Sequence, residues 1–357
     1  MAYSSVTPTC SSRLALLLGD PSGIGPEIVA RVLAEGASPD KTAAVHGGVN
    51  IIVIGEPWIL DWGARCAGIS LDLPHYSSPD DLPASLAGPV LLTGQSFSPD
   101  DHTPGRMSPA AGRYVLQTLD YAADLARNRV IDGITYASLN KQAMHAAGSR
   151  REDELRYFAD RLGVSGYVGE VNTLDGLWTS RVTSHIPLRA VYEHISVDEI
   201  LPAIRLIHNT IRRSGQPSPR LAVAGLNPHA GEGGLFGSEE IDVISPAVEA
   251  AQEEDIAASG PYPPDTVFLR ASRGEFDGVV TMYHDQGQIA MKLLGFERGV
   301  TVHGGLSTPI TTPAHGTAFD IVEKGVASPQ ALRHALKLCT QMITGGRAAN
   351  ANRQRTT

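Results

Sequence analysis

The stretch Leu14-Ala-Leu-Leu-Leu-Gly-Asp-Pro-Ser-Gly-Ile-Gly-Pro-Glu27 gives the first sign of the fold. Its apolar run Leu14–Leu18 predicts a buried strand, and the Gly-rich turn that follows leads into a helix. The glycines permit a tight backbone approach to a ligand, and the helix N-terminus favours an anion. Gly23-Ile-Gly-Pro26 lacks the G-x-G-x-x-G spacing of a Rossmann fingerprint. A plain strand-to-helix turn therefore explains the segment equally well.

The same pattern continues along the chain. Short apolar runs bounded by Gly, Asp or Pro alternate with longer amphipathic segments, which is typical of parallel strands covered by helices. This indicates an α/β protein. The predicted strands are Leu14–Leu18, Ile51–Ile54, Val90–Leu92, Ile131–Thr135, Trp178–Val182, Leu221–Ala224, Val279–Met282 and Val300–Val302.

Three helices are indicated by apolar positions three and four residues apart. Ser196 and Glu199 form a capping-box pair before the second of them. The Pro- and Ser-rich stretch Ser77–Pro109 is predicted to be mostly loop. The predicted helices are Gly112–Ala126, Ile200–Ile211 and a last one that Ser328-Pro329 opens and that runs to about Ile343.

Composition narrows the class of protein. The chain has 357 residues, 42% hydrophobic and 19% charged, with a formal net charge of −9. This length suits two domains or one large α/β unit, and the acidic balance argues against nucleic acid as a partner. No run approaches the roughly 20 apolar residues that a membrane helix needs, so we expect a cytoplasmic protein without a membrane partner. The three cysteines, Cys10, Cys66 and Cys339, have no paired spacing and are interpreted as structural thiols.

Three histidines follow predicted strands directly, where α/β enzymes place working side chains. They are His185, His229 in Leu226-Asn-Pro-His-Ala-Gly-Glu-Gly-Gly234, and His284 in Tyr283-His-Asp-Gln-Gly287. Each taken singly is explained by a hydrogen-bonded structural histidine. Together they predict a three-nitrogen site for a divalent cation, zinc above all, with a position open for substrate.

A small Gly-bearing loop, His315-Gly-Thr-Ala-Phe-Asp320, lies near the end of the chain. Such a loop lets an adenine and its ribose lie against backbone, while Asp320 accepts the ribose hydroxyls. A surface loop leading into the last helix is the competing interpretation.

Taken in order, these segments resemble the 4-hydroxythreonine-4-phosphate dehydrogenase family of pyridoxal phosphate biosynthesis. The resemblance covers about Arg13 to Gly346, and its most specific parts are the His229 and His284 motifs. The His315 loop is also similar to the coenzyme loop of isocitrate and isopropylmalate dehydrogenases. The resemblance therefore implies their two-lobed fold, with mostly parallel sheets flanked by helices and a cleft between the lobes. We place the coenzyme lobe at 13–135 with 310–348 and the metal, substrate and dimerisation lobe at 136–309.

The resemblance also implies roles for particular residues. His185, His229 and His284 would hold a divalent metal (zinc, or magnesium, manganese or cobalt), and His315, Gly316, Thr317 and Asp320 would bind NAD or NADP. Lys292 is assigned to catalysis and substrate contact, Asp285 and Asp242 to orienting the metal ligands, and Asp20 to the substrate. The family oxidises an activated secondary alcohol, after which the keto acid can lose CO₂. It works as a homodimer whose active site is completed by the partner subunit.

The sequence departs from the family where the substrate phosphate is bound. The family's Gly-His-Thr-Glu segment corresponds to Asp153-Glu-Leu-Arg156, so Glu154 and Leu155 replace its histidine and threonine. Thr301 stands where the family has an asparagine, and Ile310 stands where it has a phosphate-binding arginine. An apolar side chain cannot pair with a dianion. We therefore expect a small non-phosphorylated hydroxy acid, such as a sugar acid or a dihydrodiol carboxylate.

Three other functions remain open at this point. The chain could act on 4-hydroxythreonine 4-phosphate itself. It could be a metal-dependent hydrolase or lyase on the same scaffold, which the intact His315 loop argues against. It could also be a silent metabolite-binding protein, for which the lost substrate contacts are the support.

Overall fold

A computed structural model of the chain describes residues 12–36 and 48–355, which divide into two units. Unit one comprises the chain through Ser149 together with Thr317–Pro329, and unit two comprises Arg150–Gly316 together with the chain from Gln330 on. Cys10 lies outside the described residues. Of the described cysteines, Cys66 is half-buried and Cys339 is buried, and neither forms a disulfide.

Unit one contains a parallel sheet whose strand order is β3-β4-β2-β1-β5. Leu14 of β1 is opposite Ile51 of β2 on one side and Gly133 of β5 on the other. Its strands are β1 Arg13–Leu17, β2 Asn50–Ile54, β3 His75–Tyr76, β4 Val90–Leu92 and β5 Gly133–Tyr136, and its helices are α1 Gly25–Gly36, α2 Pro57–Ala67, α3 Pro109–Arg127 and α4 Lys141–Ala146.

Unit two contains strands in the order β12-β11-β6-β7-β10-β8-β9. The β7-β10-β8-β9 part is parallel, whereas β12, β11, β6 and β7 pair antiparallel. The strands are β6 Gly169–Leu174, β7 Leu177–Arg181, β8 Leu221–Ala224, β9 Ala258–Tyr262, β10 Gly278–Thr281, β11 Val300–Gly304 and β12 Ile310–Pro313. The helices are α5 Glu154–Arg161, α6 Val197–Arg213, α7 Ser245–Glu253, α8 Pro264–Ser272, α9 His284–Gly295 and α10 Gln330–Arg355.

Helix α6 anchors the core of unit two. Ile200, Ile204, Ile207 and Ile211 repeat at helical spacing and are fully buried among strand residues such as Val223. Burial of each such side chain is worth about 2 kcal/mol. Ser196 is the N-cap as predicted, but its side chain makes no capping hydrogen bond. The predicted capping box is therefore wrong, since Glu199 lies 3.7 Å from His194 instead.

All eight predicted strands are present to within a residue or two at most boundaries, although Ile131 and Asp132 precede β5 rather than belonging to it. Ser77–Pro109 is mostly loop around β4, as predicted. Four strands were missed: β3, β6, β9 and β12. β6 reads Gly-Glu-Val-Asn-Thr-Leu, β9 contains Gly260-Pro261, and β12 reads Ile-Thr-Thr-Pro, so none of these three strands shows the continuous apolar run of a buried parallel strand.

The predicted lobe boundaries also need correction. Residues 136–149 belong to unit one, whereas 310–316 and the chain from Gln330 belong to unit two. Helix α10 packs against β11 and β12, and the Thr311 hydroxyl donates to the Ala335 carbonyl at 2.8 Å. The helix also runs to Arg355, beyond the predicted end. Apolar spacing predicts that a helix has a buried face but does not identify the sheet that it covers.

Within the described residues, the chain has no helix that combines the length and the hydropathy needed to span a bilayer.

Candidate functional site

The three histidines follow three neighbouring parallel strands of unit two. His185 follows β7, His284 follows β10 and His229 follows β8, and β10 pairs with both of the others. The carboxyl ends of parallel strands meet at one edge of a sheet, and neighbouring strands lie about 4.8 Å apart. Gly287 lets α9 start close to this edge, because a Cβ there would lie 3.1 Å from the Thr179 hydroxyl. The strand order, which is not the chain order, therefore puts the three histidines on adjacent strand ends.

Two of the rings face one another. The ring centroids of His185 and His284 are 5.5 Å apart, with their planes tilted by 46°. In each ring Nδ1 is bonded to a carboxylate: His185 to Oε1 of Glu152 at 2.9 Å, and His284 to Oδ1 of Asp285 at 2.7 Å. A ring whose Nδ1–H donates to a carboxylate keeps its lone pair on Nε2. Both rings are thus arranged to coordinate through Nε2.

The third histidine lies in an unusual loop. Residues 229–233 all have left-handed φ values, including the non-glycine residues His229, Ala230 and Glu232. Such backbone costs about 1 kcal/mol or more per residue and persists only where the surroundings impose it. Glu240 imposes it here, because its buried carboxylate accepts the Leu226 and Asn227 amides, both at 2.7 Å. The start of the loop is therefore held by a carboxylate from the next helical turn.

A cavity of about 200 Å³ in unit two collects three of the predicted site residues: His284, Lys292 and Thr301. Glu170, Asn172 and Gln288 line it as well. The Asn172 amide donates to the Thr301 hydroxyl at 2.9 Å, and Gln288 donates to the Asn172 carbonyl at 2.7 Å. The cavity wall therefore combines one ammonium group with several uncharged groups that can bind hydroxyls.

A buried arginine beside this wall is already neutralised. Arg181 is paired with Glu170, and its guanidinium also donates to Asn172 at 2.9 Å and to Ser184 at 3.0 Å. Its five donors are arranged in a fixed fork, and these partners occupy most of that fork. Arg181 thus orders the cavity wall rather than offering an uncompensated positive charge to a ligand.

The positions that depart from the family pattern are mostly enclosed. Leu155 is 1% exposed and Ile310 is fully buried in β12, so neither side chain reaches a ligand from its place in this structure. Glu154 is buried at the start of α5, where Asp153 caps the helix by accepting the Arg156 amide at 2.7 Å. None of these three side chains supplies the cation that a phosphate dianion would require.

In unit one, the turn after β1 buries two carboxyl groups. Asp20 is 1% exposed and accepts the Ser22 amide at 2.8 Å, and burial raises its pKa from the ordinary 3.8 to about 6 although this bond lowers it. Glu27 accepts Arg31 at 2.9 Å and the Ala327 amide at 3.2 Å. The side chain of Asp20 is enclosed by protein in this structure. Its contact with a substrate stays a prediction.

The predicted coenzyme loop is hydrogen-bonded to the segment that follows β1. The Ile24 amide donates to the Thr317 carbonyl at 3.1 Å, and Arg31 donates to the Gly325 carbonyl at 2.7 Å. Thr317 is 9% exposed, whereas Asp320 is exposed and a Cβ on Gly316 would meet no atom within 4 Å. His315 lies just before them, half-buried, with Nδ1 3.0 Å from the Gly316 carbonyl oxygen. The predicted role of this loop in coenzyme binding stays a prediction.

The structure separates the two aspartates that were expected to orient the histidines. Asp285 bonds to His284, whereas Asp242 is exposed and, in the described part of the chain, makes no side-chain bond to any of the three histidines. Glu240, two residues earlier, supports the His229 loop instead. Sequence reasoning also missed Glu152 and Asn172. The acidic run Glu152-Asp153-Glu154 was a signal for the first, while nothing local marked Asn172.

The chain is similar in sequence to known proteins over most of its length. The profile of pyridoxal phosphate biosynthetic protein PdxA matches residues 48–339. A Pseudomonas aeruginosa protein named "putative 4-hydroxythreonine-4-phosphate dehydrogenase 2" is 47% identical over 92% of this chain and 96% of its own length. D-threonate 4-phosphate dehydrogenase of Pectobacterium atrosepticum is 36% identical over 93% of this chain and 99% of its own.

Solved structures agree with this similarity. The 4-hydroxythreonine-4-phosphate dehydrogenase of Klebsiella pneumoniae superposes with a TM-score of 0.76 at 35% identity, covering 93% of this chain and all of its own. A terephthalate 1,2-cis-dihydrodiol dehydrogenase of Burkholderia xenovorans LB400 has a TM-score of 0.65 at 26% identity, covering 92% and 98%.

Proposed function

This chain belongs to the PdxA family of pyridoxal phosphate biosynthetic proteins, and we propose that it oxidises a small hydroxy acid with NAD or NADP and one divalent cation. Its relatives are dehydrogenases, and the chain is an oxidoreductase that acts on a CH–OH group. The observation that carries the finer proposal is the cavity that joins His284, Lys292 and Thr301 beside the His185 ring.

The donor set supports a metal site. The ring centroids of His185 and His284 are 5.5 Å apart, each ring has Nδ1 bonded to a carboxylate, which leaves Nε2 for a cation, and His229 follows the adjacent strand β8. Imidazole nitrogens are ligands that zinc and its neighbours in the first transition row accept. When bound, such a cation supplies Lewis acidity to a substrate hydroxyl. The three histidines would hold it, and Asp285 would keep the His284 ring in the coordinating tautomer.

The chain's own residues would position the alcohol and its acid group. Lys292 supplies the ammonium group among the described residues that line the cavity, so it would pair with the substrate carboxylate or relay a proton. Thr301, Asn172 and Gln288 would bind hydroxyls. The exposed loop around Gly316 and Asp320 would hold the nicotinamide coenzyme, which accepts the hydride. Loss of CO₂ would follow where the acid is β to the new ketone.

The cavity chemistry favours a non-phosphorylated acid. Arg181 is neutralised by Glu170, and the positions that match the family's phosphate contacts are buried Glu154, Leu155 and Ile310. One ammonium group compensates the charge of a monoanion better than that of a dianion. The Glu170 carboxylate in the same cavity also disfavours a second negative charge on the ligand. The names of the relatives favour the second candidate, a phosphorylated substrate such as D-threonate 4-phosphate.

Initial rates of nicotinamide reduction distinguish the two. The purified chain would be assayed with D-threonate 4-phosphate, 4-hydroxythreonine 4-phosphate and a set of unphosphorylated sugar acids and dihydrodiol carboxylates, with NAD and NADP, with and without added Zn²⁺, Mn²⁺, Mg²⁺ or Co²⁺. We expect the highest kcat/KM on an unphosphorylated acid and loss of activity after chelation. A higher kcat/KM on either phosphate ester would establish the second candidate.

We also propose that the chain works as a homodimer with a shared active site. Helix α9, which begins at His284 and carries Lys292, exposes Ile289 and Leu293, and Leu269 of α8 is exposed as well. A cavity of about 550 Å³ lies among these side chains. Exposed apolar surface of this kind marks an association site. Sedimentation should show a dimer for the wild type and a monomer with little activity for Leu293→Asp, and a monomeric active wild type would contradict this.

A further inference from the structure

The acidic turn before α5 contains Glu152, whose carboxylate bonds to the His185 ring. Glu152 comes directly before Asp153, which caps α5, and before Glu154 and Leu155, which are buried. The turn is therefore fixed by its own neighbours. Its position leaves the Glu152 side chain 54% exposed but bonded to His185 Nδ1 at 2.9 Å.

We propose that Glu152 is a positioning residue that fixes the His185 ring for metal binding. The inference rests on the proposed function, because it concerns the same cation. Glu152 and His185 are 33 residues apart, in the segments before α5 and after β7, so the contact is made by the fold rather than by the local chain. His284 has an equivalent arrangement with its sequence neighbour Asp285. Both rings are thus bonded at Nδ1 to a carboxylate, which comes from the sequence neighbour of His284 and from a residue distant in sequence for His185.

The physical effect follows from the imidazole tautomer. With Glu152 accepting the Nδ1 proton, the Nε2 lone pair of His185 is available to a cation, and the ring is held against rotation. Without the carboxylate, the ring would sample the other tautomer and other orientations. Removal of such a partner typically costs about tenfold to a hundredfold in metal affinity.

Metal affinity and tautomer can be measured without turnover. Glu152→Gln keeps the side-chain size but removes the charge. A matched control is Glu199→Gln, since Glu199 also faces a histidine Nδ1, that of His194 at 3.7 Å, with both side chains half exposed. Zn²⁺ and Co²⁺ dissociation constants of metal-free full-length chains would be measured by competition with a chromophoric chelator. The His185 tautomer would be read from ¹⁵N–¹H correlation spectra.

We expect Glu152→Gln to weaken Zn²⁺ and Co²⁺ binding about tenfold to a hundredfold and to reduce the population of the Nδ1–H tautomer of His185. Glu199→Gln should leave both unchanged, and both metal-free variants should unfold within about two degrees of the wild type. Equal metal affinity in Glu152→Gln and wild type would overturn this inference alone. A wild type that binds neither ion would overturn the proposed function and this inference together.

Discussion

Two regions of the molecule use the same local design but differ in exposure. The turn after β1 and the turn after β10 both join a buried strand to a helix and both carry acidic side chains. In the first, Asp20 and Glu27 are 1% and 2% exposed and bond mainly to backbone amides and an arginine. In the second, the side chains of His284 and Asp285 are 34% and 71% exposed and bond to each other.

The two turns differ in how their polar groups are enclosed. Asp20 and Glu27 each use one carboxylate oxygen to accept from protein donors, while Oδ2 of Asp20 and Oε2 of Glu27 are buried and have no hydrogen-bond partner among the described residues, so their desolvation is compensated only in part. An exposed imidazole with one nitrogen fixed and the other open is available to a ligand. The first turn is thus enclosed by protein, whereas the second is open to solvent.

The largest expected effect is on the exposed turn. His284→Ala should lower kcat/KM by at least about a hundredfold, because a bound cation contributes several kcal/mol to the transition state. The unfolding temperature of the metal-free chain should change little, because the ring is partly exposed. Enzyme assays at saturating metal and thermal unfolding would be compared with His194→Ala, which should keep its activity. A His284→Ala chain that is strongly destabilised but keeps its activity would show that His284 supports the fold rather than catalysis.

The buried turn should show the opposite result. Glu27→Ala removes the acceptor of both Arg31 and the Ala327 amide, so we expect the free energy of unfolding to fall by about 3 kcal/mol. The change should be measured by urea unfolding, with Arg31→Met as a milder control because Arg31 is partly exposed. At a temperature where the variant is folded, kcat should stay near that of wild type. A stable variant without activity would place Glu27 in the chemistry instead.

The raised pKa of Asp20, about 6, predicts a pH dependence of stability. Between pH 4 and 6 the folded chain keeps the proton of Asp20, whereas the unfolded chain, at the ordinary pKa of 3.8, has lost it. The contribution of this group to stability is therefore full below pH 4 and is lost as the pH rises through 6. At about 1.4 kcal/mol per pKa unit, the loss is about 3 kcal/mol at most.

Asp20→Asn should remove that slope. We expect the difference in unfolding free energy between variant and wild type to shift in favour of the variant from pH 4 to pH 7. Urea unfolding across this range, with Asp81→Asn as an exposed control, would measure it. A difference that stays constant with pH would show that Asp20 does not titrate in this window.

The smallest expected effect on stability lies at the coenzyme loop. Gly316→Ala adds a methyl group that meets no atom within 4 Å, so the free energy of unfolding should change by less than about 0.5 kcal/mol. If coenzyme backbone contacts need the open glycine, KM for NAD or NADP should rise several-fold with kcat retained. An unchanged KM for both coenzymes would remove Gly316 from the coenzyme site.

Strand-end residues were predictable from the sequence, and their partners were not. His185, His229 and His284 each follow an apolar run that forms a strand, as the rule for parallel strands led us to expect, and their role as metal ligands stays a prediction. Asp285 was found because it is adjacent to His284. Glu152 was missed because 33 residues separate it from His185, and Asp242 was favoured where Glu240 makes the supporting bonds. A difference of two residues within one helical turn changes the face on which a side chain lies.

The sequence by itself determined the continuous apolar strands, the amphipathic helices and the motifs that place the chain in its family. Tertiary structure decided that β10 lies between β7 and β8, that α10 covers β11 and β12, and which carboxylates become buried. The physical reason is that local periodicity fixes which face of an element is apolar, whereas the partner of that face depends on packing between segments distant in the chain.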